Sequence, residues 1–173
     1  RNIMPTNYYM FFVAGLIPFI IVAVYYNKSV LGGIWQRENG LTDEELQKGN
    51  MAIIFGLTYV LSVIAAFFLS SLVIHQGAIV SLLFPDSLEA GSLAQQEVND
   101  LMAKYGDRHR NFTHGMAHGS FVTIFFILPI IAINALFERK SWKYILIHAG
   151  YWWISLMLMG GLLCQTLKYA PLS

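Results

Sequence analysis

Four apolar stretches, 8–26, 52–74, 112–137 and 142–167, dominate this sequence and limit the architectures open to it. Each is close to the ~20 residues that an α-helix needs to cross a hydrocarbon core of about 30 Å. Lipid offers no water to backbone amides and carbonyls, so each stretch must satisfy them within its own helix. The fold class predicted is all-α: an integral membrane four-helix bundle with short amphipathic helices in the connecting loops. The 173 residues read as a single transmembrane domain and leave no room for a large soluble one.

Charge supports this reading. Only 12% of residues are charged, against about a quarter in soluble domains. Nearly all of them lie between the apolar stretches. The net charge of +1 supplies no basic field for nucleic acid, so none is expected as a partner. Cys164 is the one cysteine, which excludes an internal disulfide, and its apolar context reads as a small buried or lipid-facing hydrophobe. The first stretch lacks a basic leader and a small-residue cleavage site, so it reads as a retained span, with Pro18 predicting a kink.

The connectors carry their own signals. Tyr25 and Tyr26 end the first span as an interfacial belt. Thr42-Asp43-Glu44-Glu45 is a capping box that predicts a short helix over about 43–48. The second span ends ambiguously: it runs to Phe84 or stops near Gly77 with a half-buried segment after it. Ser92 and Gln95 open an amphipathic helix at about 93–105, with Leu93, Val98, Leu101, Met102 and Tyr105 on one face and Gly106 as its stop. The tight basic connector Glu138-Arg139-Lys140-Ser141 makes the last two spans an antiparallel hairpin. Its charges, with Lys28, Arg37, Lys48 and Lys143, face Arg1, Lys104, Arg108, Arg110 and Lys168 on the other side, which argues that the connector side is cytoplasmic.

Ionisable groups in a span are costly and mark the first places to look for chemistry. His114 and His118 stand at i and i+4 on one helical face, the spacing of metal-binding helical pairs. A zinc or copper site needs one or two further ligands. The zinc-protease pattern fails because no glutamate lies between the two, and one helix cannot place both histidines on opposite sides of a haem. The plainer alternative is two hydrogen-bonded interfacial imidazoles, with Gly115 and Gly119 providing close packing. Asn134 and His148 sit at matching depth in the hairpin, which predicts a hydrogen bond between them, with Glu138 one turn below Asn134. His75 ends the second span on its polar side, facing a neighbour that spacing does not identify. Tyr151, Trp152 and Trp153 read as core or lipid-facing filler, and Gly160 and Gly161 permit a close helix contact.

The stretch Trp35-Gln36-Arg37-Glu38-Asn39-Gly40-Leu41-Thr42-Asp43-Glu44-Glu45-Leu46, with Lys48-Gly49-Asn50-Met51 after it, resembles the first connector of the domain of unknown function 1761 family. Asn134-Ala135-Leu136-Phe137-Glu138-Arg139-Lys140 and Ile147-His148-Ala149-Gly150-Tyr151-Trp152, with Met159-Gly160-Gly161, resemble it too, in matching order and spacing. The resemblance implies a small four-helix integral membrane protein and no particular reaction. The polar segment 86–111 and the His114/His118 pair depart from shorter members. The family-like positions gather at one membrane face, where Trp35, Asn39, Asn50, Asn134, Glu138 and His148 are expected to form one polar site.

Three functions follow as expectations. The first is a non-catalytic accessory or scaffold subunit of a membrane assembly, with the bilayer and a membrane-protein partner or a second copy around it. The second is a small-molecule or proton/ion carrier using Asn134, Glu138 and His148. The third is a metal-binding membrane protein or enzyme using His114 and His118. No catalytic residues are assigned and no cofactor is predicted, with a transition metal at His114 and His118 left open as an alternative. The expected location is a multi-pass position in a membrane, the plasma (inner) membrane in a bacterium.

Overall fold

The computed structural model describes residues 4–173; Arg1, counted above with one membrane side, lies outside them. The described residues form helices and short connectors, with no strand among them. Helix α1 is Met10–Tyr25, followed by a π-helical turn Lys28–Gly32, α2 Gly33–Asn39 and α3 Asp43–Gln47. Then come α4 Met51–Val73, α5 Gln76–Leu82, a 3₁₀ turn Asp86–Leu88 and α6 Leu93–Tyr105. Helix α7, Phe112–Val122, continues through a π-helical turn Thr123–Ile127 into α8, Leu128–Phe137, and α9 is Trp142–Thr166.

Three helices are long and apolar enough to cross a membrane: Met51–Val73, Phe112–Phe137 and Trp142–Thr166. At about 1.5 Å per residue each exceeds the ~30 Å hydrocarbon core. The expected first span is shorter than its apolar stretch. Helix α1 has 16 residues, and at ~1.5 Å each it reaches only about 24 Å. It attains span length only together with Lys28–Asn39, from which it is bent by 53°. Asn27 causes the break: its backbone is extended and its side-chain oxygen accepts from the Ser29 amide at 2.9 Å, starting a new helix. Through Pro18 the helix is uninterrupted. The π-helical turn in the third span precedes Pro129, which has no N–H to donate back to the preceding turn.

Helix α9 is central and packs on α7, α1 and α4. Its inner face supplies Leu156, Met159, Leu163 and Cys164 to a core completed by Phe11 and Ala14 of α1 and by Ala66, Leu69 and Val73 of α4. The closest approach is α7 on α9. A Cβ on Gly115 would lie 2.1 Å from the Gly160 carbonyl, and one on Gly119 would lie 2.2 Å from that of Leu156. Small residues let apolar helices gain packing energy this way. The outward faces carry large exposed apolars such as Phe68, Phe125 and Phe137, a surface suited to lipid.

The first residues of α1 and the last turns of α4 and α9 meet the start of α7 at one end. There the Thr6 amide donates to the Lys168 carbonyl at 2.7 Å and the Asn7 amide group donates to that of Thr166 at 2.8 Å. At the opposite end the Ser141 hydroxyl donates to the Glu38 carboxylate, and the capping box of α3 forms as its spacing predicts. Asp43 there accepts from Lys28 at 2.7 and 2.9 Å and from the Gln36 amide at 2.8 Å. The Lys28 ammonium, and then Gln36, hold its carboxyl below the ordinary value. A depressed carboxyl contributes stability above its ordinary range and loses it as pH falls through the lowered value. Hydrogen-exchange protection in residues 28–47 should therefore hold down to about pH 4 and fall only below it; onset above pH ~5 would contradict the clamp.

The second long apolar helix, α4, ends at Val73. Ile74 leaves the helix with φ −115° and ψ 100°, and the separate α5 follows. Helix α6 docks on its own protein through Val98, while Leu93 and Leu101 remain exposed. Its Gln95 side chain reaches back to the Gly91 amide rather than to Ser92. Gly106 follows it in a right-handed conformation, so the glycine is not needed there for a left-handed stop.

Candidate functional site

Three histidines meet where α4, α5 and α7 converge. The Asn111 side chain caps α7 by accepting from the His114 amide at 2.9 Å. Gly115 and Gly119 turn toward α9, leaving His114 and His118 to project from the first two turns away from that contact. His75 stands in the break after α4, between two anchored neighbours. Ile74 is buried in the core, and the buried Gln76 amide donates to the Tyr105 and Arg108 carbonyls at 3.2 and 2.8 Å. The His75 Nε2 lies 3.0 Å from that of His114 and 3.2 Å from that of His118. One ligand atom from each residue falls within 4.8 Å of the others. His109 stacks on His114 with ring centroids 5.0 Å apart and 22° between planes, held there by a left-handed backbone at φ 62°.

Hydrogen bonding alone serves this arrangement poorly. A neutral imidazole has one N–H and one acceptor nitrogen, so the Nε2 of His75 donates to one neighbour or shares a single lone pair between two. A metal ion satisfies all three lone pairs at once. Tetrahedral ligands at ~2.0–2.1 Å from zinc stand about 3.3–3.4 Å apart, close to the separations found. Three imidazoles leave one tetrahedral position for water or another ligand, the pattern of catalytic rather than structural zinc sites. Imidazole donors also suit copper, nickel and iron.

The second polar group lies at the opposite end. Asn134, Glu138 and His148 line one small cavity of about 180 Å³ with Tyr144 and Trp152. The expected Asn134–His148 hydrogen bond does not form. The His148 Nδ1 pairs instead with the Tyr26 hydroxyl at 3.0 Å, and its Nε2 is buried without a partner. Trp35 joins indirectly, its ring 5.5 Å from that of Tyr26. Asn39 and Asn50 do not line the cavity: the Asn39 amide donates to the Trp35 carbonyl at 2.7 Å, and Asn50 caps α4 by accepting from the Ile53 amide. Both spend their side chains on local backbone. Tyr25 and Tyr26, expected as an interfacial belt, pack inward on Tyr151, whose hydroxyl donates to the Pro18 carbonyl at 3.0 Å. Replacing Tyr26 with phenylalanine leaves both His148 nitrogens unpaired. It should cost about 1–2 kcal/mol, read as a lower unfolding midpoint in detergent; an unchanged midpoint would remove His148 from the fold's supports.

A family model described as Protein of unknown function (DUF1761) matches residues 9–164. The chain belongs to this family. No curated protein and no solved structure matches it. The matched region contains the connector and hairpin motifs that carry the DUF1761 resemblance, and it also contains His75, His114 and His118. Membership in DUF1761 assigns no reaction, so chemistry has to be read from geometry.

Sequence spacing paired His114 with His118 but missed the third member. The signal for His75 was its position in a polar break at the end of an apolar run. Spacing could not say which way it turned, because that depends on the burial of Ile74 and Gln76 on either side.

Proposed function

We propose that this DUF1761 protein is a multi-pass, four-helix integral membrane protein that binds one transition-metal ion through His75, His114 and His118. The observation that carries the proposal is the convergence of three Nε2 atoms from two separate segments, with 3.0 and 3.2 Å between His75 and its partners. An accessory-subunit role gives no account of that convergence. The site sits at one end of the spans, so an ion there is reached from water at the membrane boundary, and its open position can take an exogenous ligand. Zinc and copper are the leading candidates by donor type.

The test is elemental analysis of detergent-purified, tag-free protein after dialysis against Zn(II) or Cu(II) and passage through a sizing column. One ion per chain is expected. Content far below one, unchanged by replacing the histidines, would overturn the proposal.

A carrier reading has one specific observation in its favour, the unpaired His148 Nε2 in the cavity with Asn134 and Glu138. At about 180 Å³ that cavity admits a few waters or one small polar molecule, and it stands second for that reason.

A further inference from the structure

Behind His75 lies a much larger cavity of about 930 Å³, bounded by α5, α6 and the chain after α9. This is near the top of the ~300–1,000 Å³ range of ligand pockets. Its walls are fixed by defined contacts. The Asn99 side chain donates to the Leu172 carbonyl and accepts from its amide, both at 2.9 Å, which clamps the tail onto α6. The lining is largely apolar, with Val80, Val98, Met102 and Leu167 among it, yet Arg110 and Lys168 face it as well. The Arg110 Nε donates to the Cys164 carbonyl at 2.8 Å and an Nη to that of Leu167. Those acceptors are neutral, and no carboxylate pairs with this guanidinium among the described residues. Of five guanidinium N–H groups, three remain for a ligand. Asp107 is the one acidic group on the lining, so two cations stand against one anion.

We propose that this cavity binds an anionic phospholipid from the surrounding leaflet, with an acyl chain along the apolar wall and the phosphate held by Arg110 and Lys168. Location and charge both point to it. The cavity is lined by Ile74 just after α4, Leu167 at the end of α9 and Arg110 just before α7, the level at which a spanning helix leaves hydrocarbon for headgroups. A guanidinium presents paired N–H donors that match phosphate oxygens, and it is more weakly hydrated than an ammonium. A zwitterionic lipid carries a compensating ammonium that two cations disfavour. The inference does not depend on a metal at the histidines.

The experiment is native mass spectrometry of the delipidated full chain. It is titrated with phosphatidylglycerol, with phosphatidylcholine of the same acyl chains, and with oleate. Expected is one phosphatidylglycerol per chain, retained about tenfold better than phosphatidylcholine. Lys168→Gln, on an exposed side chain, should shrink that preference severalfold. Ala103→Trp, which fills the cavity from α6, should abolish the retained adduct. Arg110→Gln should lose the preference too, but Arg110 also holds two carbonyls of the tail, so the Lys168 and Ala103 variants decide. Equal retention of the two phospholipids would overturn the proposal. So would oleate binding in place of phosphatidylglycerol, or a preference that survives both Lys168→Gln and Ala103→Trp.

Discussion

Replacing His75 with alanine should remove the bound metal and leave the fold intact. His75 is exposed and its ring packs mainly on His114 and His118, so its loss opens no core cavity. In the proposed site, however, it supplies one of only three protein ligands. Loss of an outer partner that merely orients a ligand already costs about 10- to 100-fold in affinity, so loss of a direct ligand should exceed ~100-fold. His114→Ala and His118→Ala should do the same. His109→Asn is the informative comparison. Asparagine tolerates the left-handed backbone at φ 62°, and His109 only stacks on His114, so the loss should stay within about tenfold. Calorimetric titration of the four variants in one detergent measures this directly, with thermal unfolding as the check on folding. Wild-type affinity in His75→Ala would mean that the three Nε2 atoms form a hydrogen-bonded cluster and nothing more.

The second large effect concerns the contact that carries two of those histidines. Gly119→Ala places a Cβ 2.2 Å from the Leu156 carbonyl, and Gly115→Ala places one 2.1 Å from that of Gly160 and 2.6 Å from the Cys164 Cβ. The nearest obstacles are backbone atoms and cannot turn aside, so α7 and α9 must separate. Overpacking of a tight core costs about 1–3 kcal/mol and sometimes more; a clash with backbone in the closest helix pair belongs at or above the upper end. Gly56→Ala supplies the control. Nothing lies within 4 Å of its Cβ position, and alanine is the better helix former by roughly 0.5–1 kcal/mol. Unfolding midpoints in detergent should fall sharply for Gly115→Ala and Gly119→Ala and hold or rise for Gly56→Ala. Metal affinity should fall with the first two, because His114 and His118 each adjoin one of these glycines. Equal midpoints across the three variants would contradict the close packing.

The long helices were legible because their signal is local. Apolar runs of sufficient length predict Phe112–Phe137 and Trp142–Thr166 to within about a residue at each end, and the start of Met51–Val73 equally well, whereas the end of that helix is left open as far as Phe84 by the apolar residues after Gly77. The capping box at Thr42 and the Ser92 cap were equally local. The end of α1 at Tyr25 lies within a residue of the end of the apolar run 8–26, but that run does not reveal the 53° turn that follows it. The π-helical turn at Thr123–Ile127 left no mark except Pro129. Long-range pairing was the least legible. Equal depth in the hairpin pairs His148 with Asn134, but Tyr26, 122 positions away in sequence, reaches its Nδ1. His75 joins His114 and His118 across 39 and 43 positions. Neither distance leaves a periodicity to read, and both depend on how α1 and α4 lean on α9.

X-ray absorption spectroscopy of the zinc-loaded protein tests the central claim most directly, since it counts donors around the ion. Three imidazole nitrogens at about 2.0 Å plus one oxygen or nitrogen are expected. A sulfur shell near ~2.3 Å, or scattering from only one imidazole, would contradict a site built from His75, His114 and His118.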